Sequence, residues 1–338
     1  MSLKSVARRI VAPVLNRLDS RAAHQARVVL DDAALTAEEV SIVGDAANAT
    51  AQVPTEGSSK RVFVPNIENV TLDPDAPFMQ FATCSAADMV HPRFAELVAL
   101  INLTPNFHRK QWEFGYILHH LLEQNAVRPG ARALGFGVGL EMLPAAFAKM
   151  GSHVVASDAP AEVNRGSGWT ETDQHSISVD DLPNPGICDI DEFNRLVSYR
   201  PVDMNHIDND LVDFDFCWSA CCFEHLGSIR HGLDFVKNSL DCLAPGGIAV
   251  HTTELNLSSN TDTIEGEHLS LYRRSDLQML IDELRADGHT VSDLIVAPDS
   301  HYLDQYVDLP PYHGDLHMKL ELEGYVTTSV GLVIKKHS

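Results

Sequence analysis

Glycines recur at every second position in the segment Gly135-Phe136-Gly137-Val138-Gly139, which follows a short apolar run beginning at Ala131. Glycine lets the chain turn tightly and lets a ligand lie against main-chain N–H groups. The dinucleotide-binding pattern has two residues between its second and third glycines, whereas the glycines here alternate strictly. The segment therefore predicts a strand and a glycine turn that binds a nucleotide-like cofactor. The alternative is a plain strand-to-helix connection.

An acidic side chain, Asp158, ends the next apolar run, His153–Asp158. A carboxylate in this place can accept hydrogen bonds from both ribose hydroxyls of a bound adenosine. We therefore predict that Asp158, with its neighbour Ala159, lies at a ribose.

Short apolar runs alternate with helical stretches from Gly130 onward, which is typical of βαβ units and a mostly parallel sheet. Before that point, residues 91–124 carry apolar residues at helical intervals. The predicted organisation has three parts. These are a basic amphipathic helix and linker in 1–60, a helical cap over the acceptor in 61–126, and a cofactor-binding domain in 127–338.

In order and spacing these features resemble the class I S-adenosylmethionine-dependent methyltransferase family across about residues 127–335. The matching features are the glycine turn, Asp158, Asp203, the strand Phe216–Cys222 running into Phe223-Glu224-His225-Leu226, and Leu243-Ala-Pro-Gly-Gly247. The resemblance implies a Rossmann-like, seven-stranded, mostly parallel α/β sheet with a helical N-terminal extension. It also implies that the last strand, Tyr325–Lys335, runs antiparallel beside the fifth, and that S-adenosylmethionine is the cofactor.

The resemblance also implies a set of cofactor-binding residues. Asp203 and Met204 would flank the adenine, and Ser219 and Ala220 would lie near the methionine end. The family usually has an acid two residues before the first glycine, where this chain has Ala133. The carboxylate that organises the methionine amino group then comes from Glu141 or is replaced by water. The full implied set is Gly135, Phe136, Gly137, Val138, Gly139, Glu141, Asp158, Ala159, Asp203, Met204, Ser219 and Ala220.

Methyl transfer to a hydroxyl needs a group that removes the proton, and histidine suits this task because its unperturbed pKa is about 6.5. His225, beside Glu224, follows the fourth strand, and a structural role at the helix start explains it equally well. His251 lies on the fifth strand in His-Thr-Thr-Glu, a stretch unusually polar for a central strand, which favours function. His108 precedes a helix in the cap region, where a surface helix end is the alternative.

The segments Phe107-His-Arg-Lys, Glu-His-Leu-Gly-Ser and His-Thr-Thr-Glu together look like methyltransferases of bacterial surface-sugar synthesis. The first hypothesis is therefore O-methylation of a sugar or glycan. The alternatives are a small natural-product hydroxyl as acceptor, or a non-catalytic partner subunit that binds the cofactor.

Metal and nucleic-acid functions are less favoured. Carboxylates for Mg²⁺ exist at Asp208, Asp210, Asp213 and Glu254, but acid runs are more often solvated faces, so no metal ligand is assigned. The formal net charge of −22 disfavours nucleic acid. The segment Asp308-Leu-Pro-Pro-Tyr312 has an extra leucine relative to the Asp-Pro-Pro-Tyr motif of base methyltransferases. It predicts a loop with an aromatic side chain near the acceptor.

The first 27 residues hold six Lys or Arg and one acid, and residues 4–30 show helical apolar spacing. This basic helix is interpreted either as a membrane-surface or partner-docking element, or as a helix packed on the body or on a second subunit of a homo-oligomer. The start of the chain lacks a continuous apolar signal segment, and the six cysteines form no CxxC pair. We expect a cytoplasmic protein.

Overall fold

The computed structural model describes residues 75–160, 178–182 and 184–338. The basic helix predicted over 4–30, its linker, and residues 61–74 of the predicted cap lie outside these ranges. The described residues belong to a compact unit that spans residues 72–338. Residues 75–126 are therefore part of the same unit as residues 127–338.

Seven α-helices and ten strands are numbered here in chain order. The helices are α1 Ala86–Val90, α2 Pro92–Ala99, α3 Arg109–Glu123, α4 Leu143–Lys149, α5 Ile190–Leu196, α6 Ile229–Ser239 and α7 Arg274–Ala286. The strands are β1 Phe107–His108, β2 Arg132–Phe136, β3 His153–Asp158, β4 Val197–Pro201, β5 Phe214–Ala220, β6 Leu243–Asn256, β7 Thr290–Val291, β8 Leu316–His317, β9 Lys319–Leu322 and β10 Tyr325–Lys335.

The main sheet has the strand order β4-β3-β2-β5-β6-β10-β7, and β9 pairs with the first part of β10. The first five strands in this order, β4, β3, β2, β5 and β6, run parallel to one another, whereas β10 runs antiparallel to β6. The predicted α/β fold, with a mostly parallel sheet and an antiparallel last strand, is confirmed.

Two short strands also belong to the sheet. Strand β7 ends at Val291, because the chain turns where the Ile295 N–H donates to the Asp293 carbonyl at 3.0 Å. The side chain of Ile295 is then largely exposed. β9 is an additional short strand, so the sheet has eight strands and not seven.

The sheet is covered on both faces. Successive side chains of a strand point to opposite faces, so Phe216 and Trp218 of β5 pack in one layer with α3 and α4, and Cys217 packs in the other with α6 and α7. Helix α3 packs closely against the sheet on the first face, since a Cβ on Gly331 of β10 would lie 2.2 Å from Tyr116 of α3. Helix α3 is thereby fixed against the sheet.

The parallel strands place the ends of β2, β3, β5 and β6 along one edge of the sheet, where open α/β sheets bind ligands. The amino end of α3 reaches this edge, because the Lys110 Nζ donates to the carbonyl of Ala220 at the end of β5, at 2.9 Å. Within the described ranges, no helix has the length and apolarity needed to cross a membrane.

Candidate functional site

The glycine turn follows β2 directly. Gly137 and Gly139 both have positive φ, at 58° and 47°, a region that residues with a side chain adopt at a cost. The turn is tied to β3, since the Val138 N–H donates to the carbonyl of Ser157 at 2.9 Å and the Ser157 hydroxyl donates to the carbonyl of Gly135 at 2.7 Å. The turn is therefore rigid and lies against the end of β3.

Gly137 also faces the segment after β5. A Cβ there would lie 2.9 Å from Cys222 Sγ, and Met204 Sδ would be 3.6 Å away. Cys222 and Met204 are buried and their sulfur atoms lie 3.9 Å apart. The turn, Met204 and Cys222 thus form one continuous wall.

Asp158 and Asp203 come together through their backbones. Asp158 ends β3 and is 3% exposed, and one of its carboxylate oxygens accepts from the Ala159 N–H at 2.8 Å. Its carbonyl accepts from the Val202 N–H at 2.9 Å, which brings Asp203 beside it. The Asp203 carboxylate is held by the Asn205 N–H at 2.9 Å and by His206 Nδ1 at 3.0 Å. Both predicted acids therefore stand at the same edge as the glycine turn.

Glu141 brings a further carboxyl group close to Asp158 at this edge. Burial raises the pKa of Glu141 to about 8, although Lys110 and a hydrogen bond from the Trp218 indole act in the opposite direction. That indole nitrogen lies 3.4 Å from Glu141 Oε2. The carboxyl is thus largely neutral at pH 7, and an incoming cation would ionise it.

His251 lies in the core and not at the edge. Its ring is fully buried, with Nδ1 2.8 Å from the Ser219 hydroxyl and Nε2 3.0 Å from the Ser239 hydroxyl. Burial lowers the pKa of His251 to about 3. Because both ring nitrogens are engaged, this geometry gives His251 a structural role and does not support the predicted role as base. The same contact engages the Ser219 hydroxyl in the core, and the expected places of Ser219 and Ala220 near a methionine stay predictions.

His225 and Glu224 lie in the 3₁₀ turn Phe223–His225 after β5 and have separate partners. The His225 Nδ1 is 2.6 Å from the carbonyl of His268, and the buried Glu224 accepts from the Thr253 hydroxyl at 2.9 Å. These contacts hold the turn against β6 and the loop after it. Both residues are near the edge, and a structural role accounts for their contacts.

The amino end of α3 brings two cations, Arg109 and Lys110, to the same edge, which the sequence analysis missed. Arg109 binds Glu254 at 2.5 Å and Glu113 at 3.2 Å. Lys110 binds Glu113 at 2.9 Å, and this ion pair raises the pKa of Lys110 against the effect of burial. The sequence pattern that could have predicted these ion pairs is Arg109-Lys110 followed by Glu113, because each cation lies about one helical turn from Glu113.

Three of the four acids considered for Mg²⁺ bind arginine side chains. Asp208 and Asp210 bind Arg200 at 2.7 and 2.8 Å. Across the described part of the chain, one set has the spacing of metal ligands, with its ligand atoms within 4.8 Å of one another. That set is Cys221, Glu224 and Glu254. The Arg109 guanidinium lies against Cys221 Sγ at 3.3 Å and against Glu254, so a cation from the protein already compensates this set.

His108 caps the amino end of α3. Its Nδ1 accepts from the Lys110 N–H at 3.1 Å, and its ring lies beside that of His317, with 4.8 Å between centroids. His317 in turn contacts the buried carboxylate of Asp308 at 2.7 Å. The sequence analysis placed Asp308 in an acceptor-side loop but gave no role to His317. Only the pairing of β1 with β8 brings the two histidines together.

Comparisons with known proteins gave structural likenesses only. No family model matches the sequence, and no curated protein matches it. The fold is similar to an S-adenosylmethionine-dependent methyltransferase from Clostridium acetobutylicum ATCC 824 (12% identity, 68% of this chain and 92% of that chain, TM-score 0.38). It is also similar to a SAM-dependent methyltransferase from Aquifex aeolicus (16% identity, 64% and 88%, TM-score 0.35).

A third similar structure is the N-terminal domain of EvdMO1 in the presence of SAH and D-fucose (13% identity, 65% of this chain and 82% of that chain, TM-score 0.36). With TM-scores below 0.5, these likenesses add no argument to the strand order described above.

Proposed function

We propose that this protein transfers a methyl group from S-adenosylmethionine to a hydroxyl of a polyhydroxylated acceptor such as a sugar or glycan. The observation that carries the proposal is the shared edge of the sheet. There the glycine turn, Asp158 at the end of β3, Asp203 after β4 and the neutral carboxyl group of Glu141 lie close together.

The residues at this edge have the hydrogen-bonding groups and charges that suit the parts of the cofactor. The glycine turn lets the chain approach the ligand closely, and Asp158 is placed to accept from the ribose hydroxyls. Asp203 and Met204 border the adenine. Glu141 is suited to the methionine ammonium, since a buried carboxyl group with a raised pKa gains most from a nearby cation.

The methionine carboxylate has a complementary group at the amino end of α3. Lys110 is tied to the carbonyl of Ala220 and to Glu113, and its charge lowers the pKa of Glu141. One cation thus lies between the end of β5 and the segment that follows the glycine turn. The cofactor supplies a methyl group on a positively charged sulfur, and the protein has to hold the acceptor oxygen in line with it.

Hydrogen-bonding side chains near the same edge support a polar acceptor. The loop after the 3₁₀ turn Tyr302–Gln305 carries Tyr312, whose ring lies 5.4 Å from that of His317. Donors, acceptors and an exposed aromatic face together suit a sugar, which presents hydroxyls at its edge and C–H groups on its face.

Calorimetric titration of S-adenosylmethionine and S-adenosylhomocysteine (SAH) into wild type, Asp158→Ala and Asp234→Asn tests the cofactor. Asp234 pairs with Arg230 on the exposed side of α6 and serves as the matched acidic control. We expect micromolar binding by wild type and Asp234→Asn, and a loss of at least about 30-fold in Asp158→Ala because charged hydrogen bonds contribute about 2 kcal/mol or more. A folded wild type that binds neither compound would overturn the proposal.

A further inference from the structure

Two histidines meet in the two-stranded sheet of β1 and β8. The parallel register pairs His108 with His317, and their ring centroids are 4.8 Å apart with an interplanar angle of 31°. The two positions are far apart in the sequence. The pair is therefore a product of the tertiary fold.

The contacts of His108 assign its proton. Its Nδ1 accepts from the Lys110 N–H, so Nδ1 holds a lone pair. Burial, together with the nearby His317 ring and the charges of Arg109 and Lys110, lowers the pKa of His108 to about 4, although Glu113 opposes this. A neutral imidazole with an accepting Nδ1 carries its hydrogen on Nε2. His108 is a hydrogen-bond donor through Nε2.

The contacts of His317 assign the opposite arrangement. Burial alone would raise the pKa of Asp308, but the hydrogen bonds from His317 and from the N–H groups of His313 and Gly314 hold it below its ordinary value. An ionised carboxylate only accepts, so His317 donates through Nδ1 at 2.7 Å. No residue in the described part of the chain hydrogen-bonds to its Nε2, the atom that carries the lone pair when an imidazole donating through Nδ1 is neutral.

The pair lies at the edge of the sheet where the cofactor is proposed to bind. The residue after His108 is Arg109, which binds Glu254 near the end of β6, and the next is Lys110, which binds the carbonyl of Ala220 at the end of β5. Tyr312 is 43% exposed beside His317. The two histidines therefore lie where an acceptor would approach the ends of β5 and β6.

We propose that His108 and His317 hold the acceptor as a donor–acceptor pair that fits two neighbouring hydroxyls. His317 Nε2 takes the proton of the hydroxyl that is methylated, and His108 Nε2–H donates to the adjacent oxygen. Asp308 is a positioning residue that fixes the tautomer of His317. This inference rests on the proposed function and assigns its acceptor site.

The step conserves atoms and charge. The acceptor O–H bond breaks and its proton goes to His317 Nε2. The oxygen's electron pair forms the O–CH₃ bond while the carbon–sulfur bond breaks and its electron pair stays on sulfur. One positive charge thus moves from the sulfonium to the imidazolium, which returns its proton to water.

Side-chain NMR of ¹⁵N-histidine-labelled protein with SAH tests the pair without an acceptor. Long-range ¹H–¹⁵N spectra at pH 7.5 report the tautomer, and His108→Gln and His317→Gln assign the signals. We expect Nε2–H for His108 and Nδ1–H for His317, with the preference of His317 lost in Asp308→Asn. The same tautomer at both residues would overturn the inference.

Kinetics with methyl glycosides that carry vicinal diols, and with the matching deoxy sugars, test the roles. His317→Gln should lower kcat by about 100-fold or more while leaving KM for S-adenosylmethionine unchanged, and the loss should shrink as pH rises. His108→Gln should raise KM for the diols and remove their advantage over deoxy sugars. His153→Gln, at the exposed start of β3, should match wild type.

The two proposals fail in different ways. A His317→Gln enzyme with unchanged kcat would overturn the histidine pair while methylation of the panel stands. A wild type that binds SAH but methylates none of the panel contradicts the proposed acceptor class. The NMR tautomers of His108 and His317 then decide whether the two rings form the proposed donor–acceptor pair.

Discussion

Two regions of the molecule hold histidine among polar partners, and they differ in whether a ring nitrogen remains available. His251 in β6 has both nitrogens engaged by serine hydroxyls and is completely buried. His317 in β8 has one nitrogen bound to Asp308, and its side chain is 11% exposed. Polar residues in a central strand can thus satisfy one another inside the core, whereas the residues suited to proton transfer lie in short strands at the edge.

The tautomer of His251 follows from its partners. The Ser239 hydroxyl donates to the carbonyl of Val236 at 2.7 Å, so it accepts from His251 Nε2. His251 Nδ1 then accepts from the Ser219 hydroxyl. The comparison therefore predicts that changes at His251 affect stability and that changes at His317 affect turnover.

The largest expected effect on stability is that of His251→Leu. The change leaves the Ser219 hydroxyl buried without its acceptor, so the free energy of unfolding should fall by about 2–3 kcal/mol in urea denaturation. The double variant Ser219→Ala/His251→Leu removes the orphaned hydroxyl and should recover part of that loss. A single variant as stable as wild type would contradict the structural role.

The pH dependence of stability sharpens the same contrast. The folded-state pKa of His251 is about 3, below its unfolded value of about 6.5, so only the unfolded chain takes up a proton between these values. Its contribution to stability is complete above pH 6.5 and is lost as pH falls toward 3. Near pH 5 the free energy of unfolding should change by up to about 1.4 kcal/mol per pH unit from this group. In His251→Leu that slope should be smaller by this amount.

Glu141 offers a second contrast, because its carboxyl group, which burial keeps protonated, lies at the edge proposed to bind the cofactor. Its pKa of about 8 means that it is protonated at pH 7, and binding of the cofactor ammonium should release about one proton. Calorimetry of SAH in two buffers of different ionisation enthalpy measures this release. Glu141→Gln should abolish it, and a buffer-independent enthalpy for wild type would disprove the assignment.

The smallest expected effect is that of His317→Gln on folding. The ring is near the surface, and the carboxylate of Asp308 keeps the N–H groups of His313 and Gly314 as partners. The free energy of unfolding should change by less than about 1 kcal/mol. A change as large as that of His251→Leu would remove the difference between the two regions.

The parts of this fold that were predictable have strong local patterns. The glycine turn, the apolar strands β2, β3 and β5, and the antiparallel β10 all carry such patterns. Strand β4, Val197–Pro201, has mixed polarity and shows no such run, and its place is set by pairing with β3.

The sequence predicted that the glycine turn, Asp158 and Asp203 share one edge of the sheet, but it gave no partners for the catalytic candidates. The partners of the catalytic candidates come from distant segments. Asp308, in the loop before β8, contacts His317. Arg109 of α3 binds Glu254 of β6, and Ser239 of α6 contacts His251 of β6. Residue type alone favoured His251, because the sequence did not show that both its nitrogens are satisfied.

A crystal structure of the protein with SAH tests the central claim most directly. We predict that SAH lies along the glycine turn Gly135–Gly139, with the ribose hydroxyls within hydrogen-bond distance of Asp158 and the amino group facing Glu141. SAH bound elsewhere, or a cleft that stays empty at saturating SAH, would contradict the assignment of this edge as the methyltransferase site.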